Sequence, residues 1–156
     1  MIIIGADHAG FDLKNIIINH FKENNVEYCD ATDYDKNPED DYTDVALKIC
    51  KNVLMDESNL GIAICGTGIG ICVACNKIKG IIATPCYNEY TARMVRQDNN
   101  SNVLCLGGRL EYSNHEDEVI KIVETYINTE FAGERHLRRV NKIKDIESKF
   151  GEKLWE

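Results

Sequence analysis

Ile62-Ala63-Ile64-Cys65-Gly66-Thr67-Gly68-Ile69-Gly70 is the stretch on which the reading of this chain turns. An apolar run ends at Cys65, glycines follow at every second position, and a small-residue apolar segment continues to Asn76-Lys77. This order predicts a buried strand, a tight loop whose backbone must approach something closely, and a helix. Glycines at 66, 68 and 70 permit positive φ and leave no Cβ in the way of a ligand. A helix beginning there aims unpaired N–H groups at the loop and favours an anion. Cys65 then stands where a thiolate is stabilised. The expectation is an anion site holding a reactive cysteine, against the plainer alternative of a buried structural thiol.

Working outward, residues 2–4 read as a first strand, and Gly5-Ala6-Asp7-His8-Ala9-Gly10 as the turn after it. Leu13, Ile16, Ile17 and Phe21 recur at helical spacing. Residues 26–29 form a second short strand, and the acidic segment 30–41, with Pro38, a loop. Val45 to Leu54 suggests a helix, 60–64 the third strand, 81–84 the fourth and 102–106 the fifth. A helix is expected over about 87–96, with amphipathic helices over 116–128 and 140–150. Strands alternating with helices imply an α/β fold: a doubly wound, Rossmann-like, five-stranded parallel sheet with helices on both faces. In such sheets ligands bind beyond the carboxyl ends of the strands. Asp7 and His8 follow strand one, Cys65 to Gly70 follow strand three, and Arg109 follows strand five.

The 156 residues suit a single domain spanning 1–156. A formal charge of −8 argues against a nucleic-acid or acidic-membrane binder. Against that background the cluster Arg135-His136-Leu137-Arg138-Arg139 suits a small anion better than a polymer. Arg135 and Arg139 are four apart, so a helix projects both from one face; two convergent guanidiniums suit a phosphate, and a solvated basic face is the alternative. No apolar run approaches the ~18 residues of a membrane span. Met1 leads directly into Ile2-Ile3-Ile4 without a charged leader, so a soluble, cytoplasmic protein is expected. The seven cysteines are expected to be free thiols.

The glycine loop is not the G-x-G-x-x-G of a dinucleotide site, since residue 71 is Ile and the loop follows the third strand. No Gly-Lys-Ser/Thr follows, so it is not a Walker A loop. Cys72-Val73-Ala74-Cys75 lacks a second pair at zinc spacing and reads as small apolar packing. His20 and His115 read as surface residues, and Trp155 as tail packing or an exposed side chain.

The landmarks Gly5-Ala6-Asp7-His8-Ala9-Gly10, Asp41-Tyr42, Ile64 to Ile71, Ala74-Cys75-Asn76-Lys77, Asn102-Val103-Leu104, Gly107-Gly108-Arg109 and Gly133-Glu134-Arg135-His136 with Arg139 occur in one order along nearly the whole chain. Together they resemble the type B ribose-5-phosphate isomerases and the related galactose-6-phosphate isomerase subunits. The resemblance implies an aldose–ketose isomerase interconverting ribose 5-phosphate and ribulose 5-phosphate without metal or cofactor. It also implies a homodimer, or a dimer of dimers, whose active sites draw on two chains, with the helical segment 135–150 packing on or across the dimer. Carried over, Cys65 is the base moving a proton between C1 and C2, with Thr67 beside it. The loop Gly66, Gly68, Ile69 and Gly70 forms the anion hole for the enediolate. Asp7 contacts sugar hydroxyls, Tyr42 lies along the sugar, and Asn99 adds a hydrogen bond. His8, Arg109, Arg135 and Arg139 hold the phosphate.

The chain departs from the family pattern at three places. Family members commonly carry Arg-x-His-Asn before the Asn-Val-Leu strand, the His opening the furanose ring; here the stretch is Arg96-Gln97-Asp98-Asn99, with Asp98 in that position. Either Asp98 carries out a modified ring opening, or the enzyme relies on spontaneously opened sugar, or the preferred substrate differs; the expectation is that Asp98 takes part. Thr43 stands where Pro usually follows Asp-Tyr, and Glu134 where a glycine usually precedes Arg-His. Two alternative functions remain: isomerisation of a six-carbon sugar phosphate such as galactose 6-phosphate or allose 6-phosphate, and a catalytically weak sugar-phosphate-binding subunit.

Overall fold

The computed structural model describes residues 1–32 and 36–150. In chain order the elements are β1 (Ile2–Ala6), α1 (Phe11–Glu23), β2 (Tyr28–Asp30), α2 (Tyr42–Val53), β3 (Leu60–Cys65), α3 (Ile69–Cys75), β4 (Ala83–Pro85), α4 (Glu89–Gln97), β5 (Val103–Gly107), a 3-10 turn (Glu111–Asn114), α5 (Glu116–Asn128) and α6 (Glu134–Phe150). The strands form a five-stranded sheet in the order β2-β1-β3-β5-β4, every pair parallel. The doubly wound α/β class expected from the alternation of strand and helix is the one observed.

Alternation along the strands builds two cores. Ile2, Ile4, Ile62, Ile64, Leu104 and Leu106 pack with Leu13, Ile17 and Phe21 of α1, Ala92 of α4 and Val119, Ile122 and Tyr126 of α5. Ile3, Ala63, Cys65 and Cys105 face the other way, onto Val45, Ile49 and Val53 of α2 and Ile71, Cys72 and Cys75 of α3. Each fully buried Ile or Leu contributes about 1.5–3 kcal/mol. Because both faces are covered, the central strands read as unbroken apolar runs. All seven cysteines are unbridged, with Cys72 and Cys75 inside the second core.

The structure moves several boundaries. Helix α2 begins at Tyr42, not Val45, with Asp44 in its first turn favouring the helix dipole. Strand β4 runs later than expected and ends on Pro85, which an edge strand tolerates. Helix α6 starts at Glu134, six residues before the apolar pattern suggested. His20 is not a free surface residue: its Nε2 lies 2.6 Å from Glu124 Oε1, tying α1 to α5, whereas His115 is exposed. Part of the acidic loop (33–35) and Trp155 lie outside the described residues. Lys14 is buried, with Nζ 2.7 Å from Asp30 Oδ2 and 2.8 Å from the Thr32 carbonyl, and Thr32 Oγ1 accepts from Ala6 N–H. This knot fixes the end of β1, where the candidate site begins. Among the described residues, no helix is long and apolar enough to cross a membrane, and no group of three or more His, Cys, Asp or Glu is placed to hold a metal ion.

Candidate functional site

Parallel pairing sets Ala6, Cys65 and Gly107 together at the carboxyl edge of the sheet, with Ala6 opposite Ile64 and Cys65 opposite Gly107. The three turns that follow carry the chemistry. Asp7 is buried, and its Oδ1 accepts from Ala9 N–H at 2.9 Å and Gly10 N–H at 3.1 Å. Burial raises its pKa above the usual carboxylate value, and the two backbone donors partly oppose that rise. His8 is held twice by Asp40: its backbone N–H donates to Oδ1 at 2.9 Å, and Nδ1 lies 2.7 Å from the same oxygen. That contact orients the ring and leaves Nε2 for a ligand.

Cys65 is buried, and the N–H of Gly68 donates to its Sγ at 3.2 Å. Gly68 adopts φ +76°, and a Cβ there would stand 2.9 Å from the Leu106 carbonyl carbon, so the turn that brings this N–H to the sulfur requires glycine. Thr67 is exposed, its Oγ1 accepting from Ile69 N–H at 3.3 Å. Arg109 N–H donates to the Gly66 carbonyl at 2.9 Å, and its guanidinium lies over Gly66, where an added Cβ would be 3.2 Å from Nη1. Tyr42 lies likewise over Gly70, 3.0 Å from such a Cβ at Cζ. Below the loop, Gly107 N–H donates to Tyr112 Oη at 2.7 Å, and burial pushes the Tyr112 phenol up to about 12. The arrangement brings together a thiol, a backbone-donor loop, a carboxylate, an oriented imidazole and a guanidinium.

The remaining candidates lie elsewhere. Each helix runs back from the carboxyl edge, so Asp98, capping the C-terminus of α4, and Asn99 lie at the amino edge. Bonds there confirm the placement: Arg96 Nη1 donates to the Ser101 carbonyl at 2.6 Å, and Ser101 Oγ to the Ile82 carbonyl at 2.8 Å. Ala132 N–H donates to the Gln97 carbonyl at 3.0 Å, which draws the start of α6, with Arg135 and Arg139, to the same edge. The five residues of β5 separate the two edges by about 13 Å. Among the described residues, no hydrogen bond or ion pair joins Asp98, Asn99, Arg135 or Arg139 to the Cys65 group. The candidate residues of one chain therefore fall into two groups, one at each edge.

Sequence reasoning missed the groups that orient others. Asp40 stands thirty-two residues from His8, and nothing in the acidic loop marked it out from its neighbours. His136 stands out in the sequence only as part of a motif; it is buried, with Nε2 3.6 Å from Asp98 Oδ1.

A doubly wound sheet with a thiol, an anion-friendly loop and a guanidinium at its carboxyl edge defines a small-molecule α/β enzyme class. The model of the Ribose/Galactose Isomerase family matches residues 2–143. The ribose-5-phosphate isomerase B of Clostridium thermocellum superposes with a TM-score of 0.88 at 43% identity, covering 96% of this chain and 98% of that one. The Mycoplasma genitalium ribose-5-phosphate isomerase B, solved with bound ribulose 5-phosphate, gives 0.88 at 40% identity over 95% and 96%. Ribose-5-phosphate isomerase B of Escherichia coli is 38% identical over 149 residues, 95% of this chain and 97% of its own. The chain belongs to the ribose/galactose isomerase family.

Proposed function

We propose that this protein is an aldose–ketose isomerase interconverting ribose 5-phosphate and ribulose 5-phosphate through an enediolate. The observation that carries the reading is Cys65 Sγ at the base of the glycine loop, receiving the Gly68 N–H at 3.2 Å. As thiolate, Cys65 takes the proton from C2 of the open aldose; the electron pair forms the C1–C2 double bond and charge moves to O1. Loop N–H groups are oriented towards that charge before it develops. A proton passes from O2 to O1, and Cys65 returns its proton to C1, leaving the ketone at C2. Thr67 lies beside the base, Asp7 holds sugar hydroxyls, and Tyr42 flanks the chain of the sugar.

The phosphate falls to His8 and Arg109 from one chain and to Arg135 and Arg139 from a second, with Asp98 and Asn99 entering from that second chain too. Helix α6 supports a homodimer. Arg135, Arg139, Ile143, Ile146 and Phe150 fall within about 80° of arc on one face, and Ile143, Ile146 and Phe150 are exposed. The tethered face is the neighbouring one, where His136 and Val140 are buried and Glu147 accepts from Gly80 N–H at 3.1 Å. An apolar stripe leading into two arginines suits docking on a second copy, delivering both charges to its carboxyl edge. Phosphate binding then supplies remote energy for placing C1 and C2 at the thiol.

The test is a coupled assay of the purified chain with ribose 5-phosphate, repeated with Cys65→Ala. Turnover by the native chain and its loss in the variant are expected; full activity in Cys65→Ala sinks the assignment. Faster turnover of galactose 6-phosphate or allose 6-phosphate would move the substrate to six carbons, the alternative that the family's own name includes. Binding of ribose 5-phosphate without turnover would make the chain a sugar-phosphate-binding subunit.

A further inference from the structure

At the amino edge, one imidazole nitrogen is contested. His136 Nε2 accepts from Arg135 Nε at 3.2 Å and lies 3.6 Å from Asp98 Oδ1. The imidazole is more than nine-tenths buried, and its Nδ1 is buried without a partner. Asp98 is more open, at 37% side-chain exposure. While Arg135 donates to Nε2, the ring must be neutral with its proton on Nδ1. A carboxylate in contact then has no hydrogen to receive. Once Arg135 turns away to an anion, Nε2 is free to carry a hydrogen facing Asp98 Oδ1 and share it with the carboxylate. The other charged neighbour on α4, Arg96, is committed to Asn100, the Ser101 carbonyl and the Tyr126 ring, and Glu134 is exposed.

We propose that His136 and Asp98 form one proton-holding pair that opens the cyclic sugar, and that Arg135 loads it by releasing His136 when it engages the substrate phosphate. This deepens the isomerase reading and rests on it. An aspartate alone at neutral pH accepts a proton but seldom offers one; the proton shared from His136 supplies what it lacks. Protonated Asp98 gives its hydrogen to the ring oxygen as the C1–O4 bond breaks, that bond's electron pair taking the proton. The anomeric O1–H proton returns to the other carboxyl oxygen as the C1–O1 double bond forms. One proton leaves the pair and one comes back, so the pair is regenerated. Asp98 touches the sugar; His136 is the positioning residue behind it.

The experiment separates ring opening from isomerisation by working in Cys65→Ala, which stops the second step. Exchange between the α and β anomers of ribose 5-phosphate is followed by exchange NMR. Cys65→Ala should speed it above the buffer rate. Adding His136→Gln or Asp98→Asn should lower the protein-catalysed part by at least about tenfold, while affinity for the sugar phosphate stays within about threefold. A double variant that keeps the exchange rate, or a Cys65→Ala protein no faster than buffer, overturns the proposal. In the otherwise native protein labelled with 15N-histidine, inorganic phosphate should move His136 Nε2 from acceptor to protonated nitrogen. An unchanged resonance at saturating phosphate also overturns it, without depending on the folding of any variant. Failure of the native chain to isomerise at all is read separately in the coupled assay and concerns the activity itself.

Discussion

The two edges of the sheet hold their polar groups in opposite ways. At the carboxyl edge the groups nearest the proton transfer are tied within the chain: Asp7 to two backbone donors, His8 to Asp40, Cys65 to Gly68 N–H. At the amino edge Arg135, Arg139 and Asn99 are exposed, and the pairing of His136 is incomplete. The difference teaches where rigidity is required. A proton transfer between adjacent carbons depends on geometry fixed beforehand. In the proposed dimer, groups that grip a charged tail from a second copy can complete their bonding when substrate arrives.

The comparison is broken most severely at the thiol. Cys65→Ala should lower kcat by about a thousandfold with the thermal midpoint little changed, as steady-state kinetics and a melt would show. Arg139→Ala comes next: KM for ribose 5-phosphate should rise by about tenfold or more through loss of a charge-assisted contact. The sharper version mixes the two. If the half-sites come from different chains, random reassociation of Cys65→Ala with Arg139→Ala, assayed at ribose 5-phosphate well below the native KM, should regain about a quarter of native activity, because half the dimers carry one intact site. No regain beyond the sum of the separate variants would place both half-sites in one chain's service.

Stability should divide along the same line. Lys14→Met strands Asp30 beneath the carboxyl-edge turn and should cost about 3 kcal/mol in denaturant unfolding, whereas Lys36→Met, breaking an exposed pair with Asp12, should cost under about 1 kcal/mol. Asp7→Asn should abolish most activity yet leave the fold as stable or more so, since Oδ1 can still accept both backbone bonds. The sign follows from the raised pKa: an ionised Asp7 costs stability above that pKa, and protonation relieves it below. The difference in midpoint between variant and native protein should therefore shrink as pH falls. The smallest effect belongs to Glu134, which holds φ +43° where the family usually has glycine; Glu134→Gly should stabilise by about 0.5–1 kcal/mol by relieving that strain.

The fold was legible because both faces of the sheet are covered: runs such as Ile62-Ala63-Ile64 announce themselves without any partner in view. The carboxyl-edge cluster was legible too, since Asp7, Cys65 and Arg109 each follow a strand and share one edge by topology alone. The start of α6 was not, because residues 134–139 are charged and carry no apolar period. The contacts of Asp40 with His8 and of Asp98 with His136 span thirty-two and thirty-eight residues, and side-chain pairs at that separation leave no periodic trace. That Asp98 and Cys65 lie on opposite edges follows from the same topology, since Asp98 precedes strand five and Cys65 ends strand three.

The opposition of the two edges has a consequence for substrate choice. In the proposed dimer, the span from the reacting carbons to Arg135 and Arg139, though not to His8 and Arg109, is measured across an interface, between the α3 loop of one copy and α6 of the other. On that proposal, part of the ruler for sugar length is quaternary. Substitutions at Ile143, Ile146 or Phe150, exposed on α6 and outside the proposed sugar site, would retune it by sliding one copy along the other, so that preference for five or six carbons can drift while every catalytic side chain stays the same.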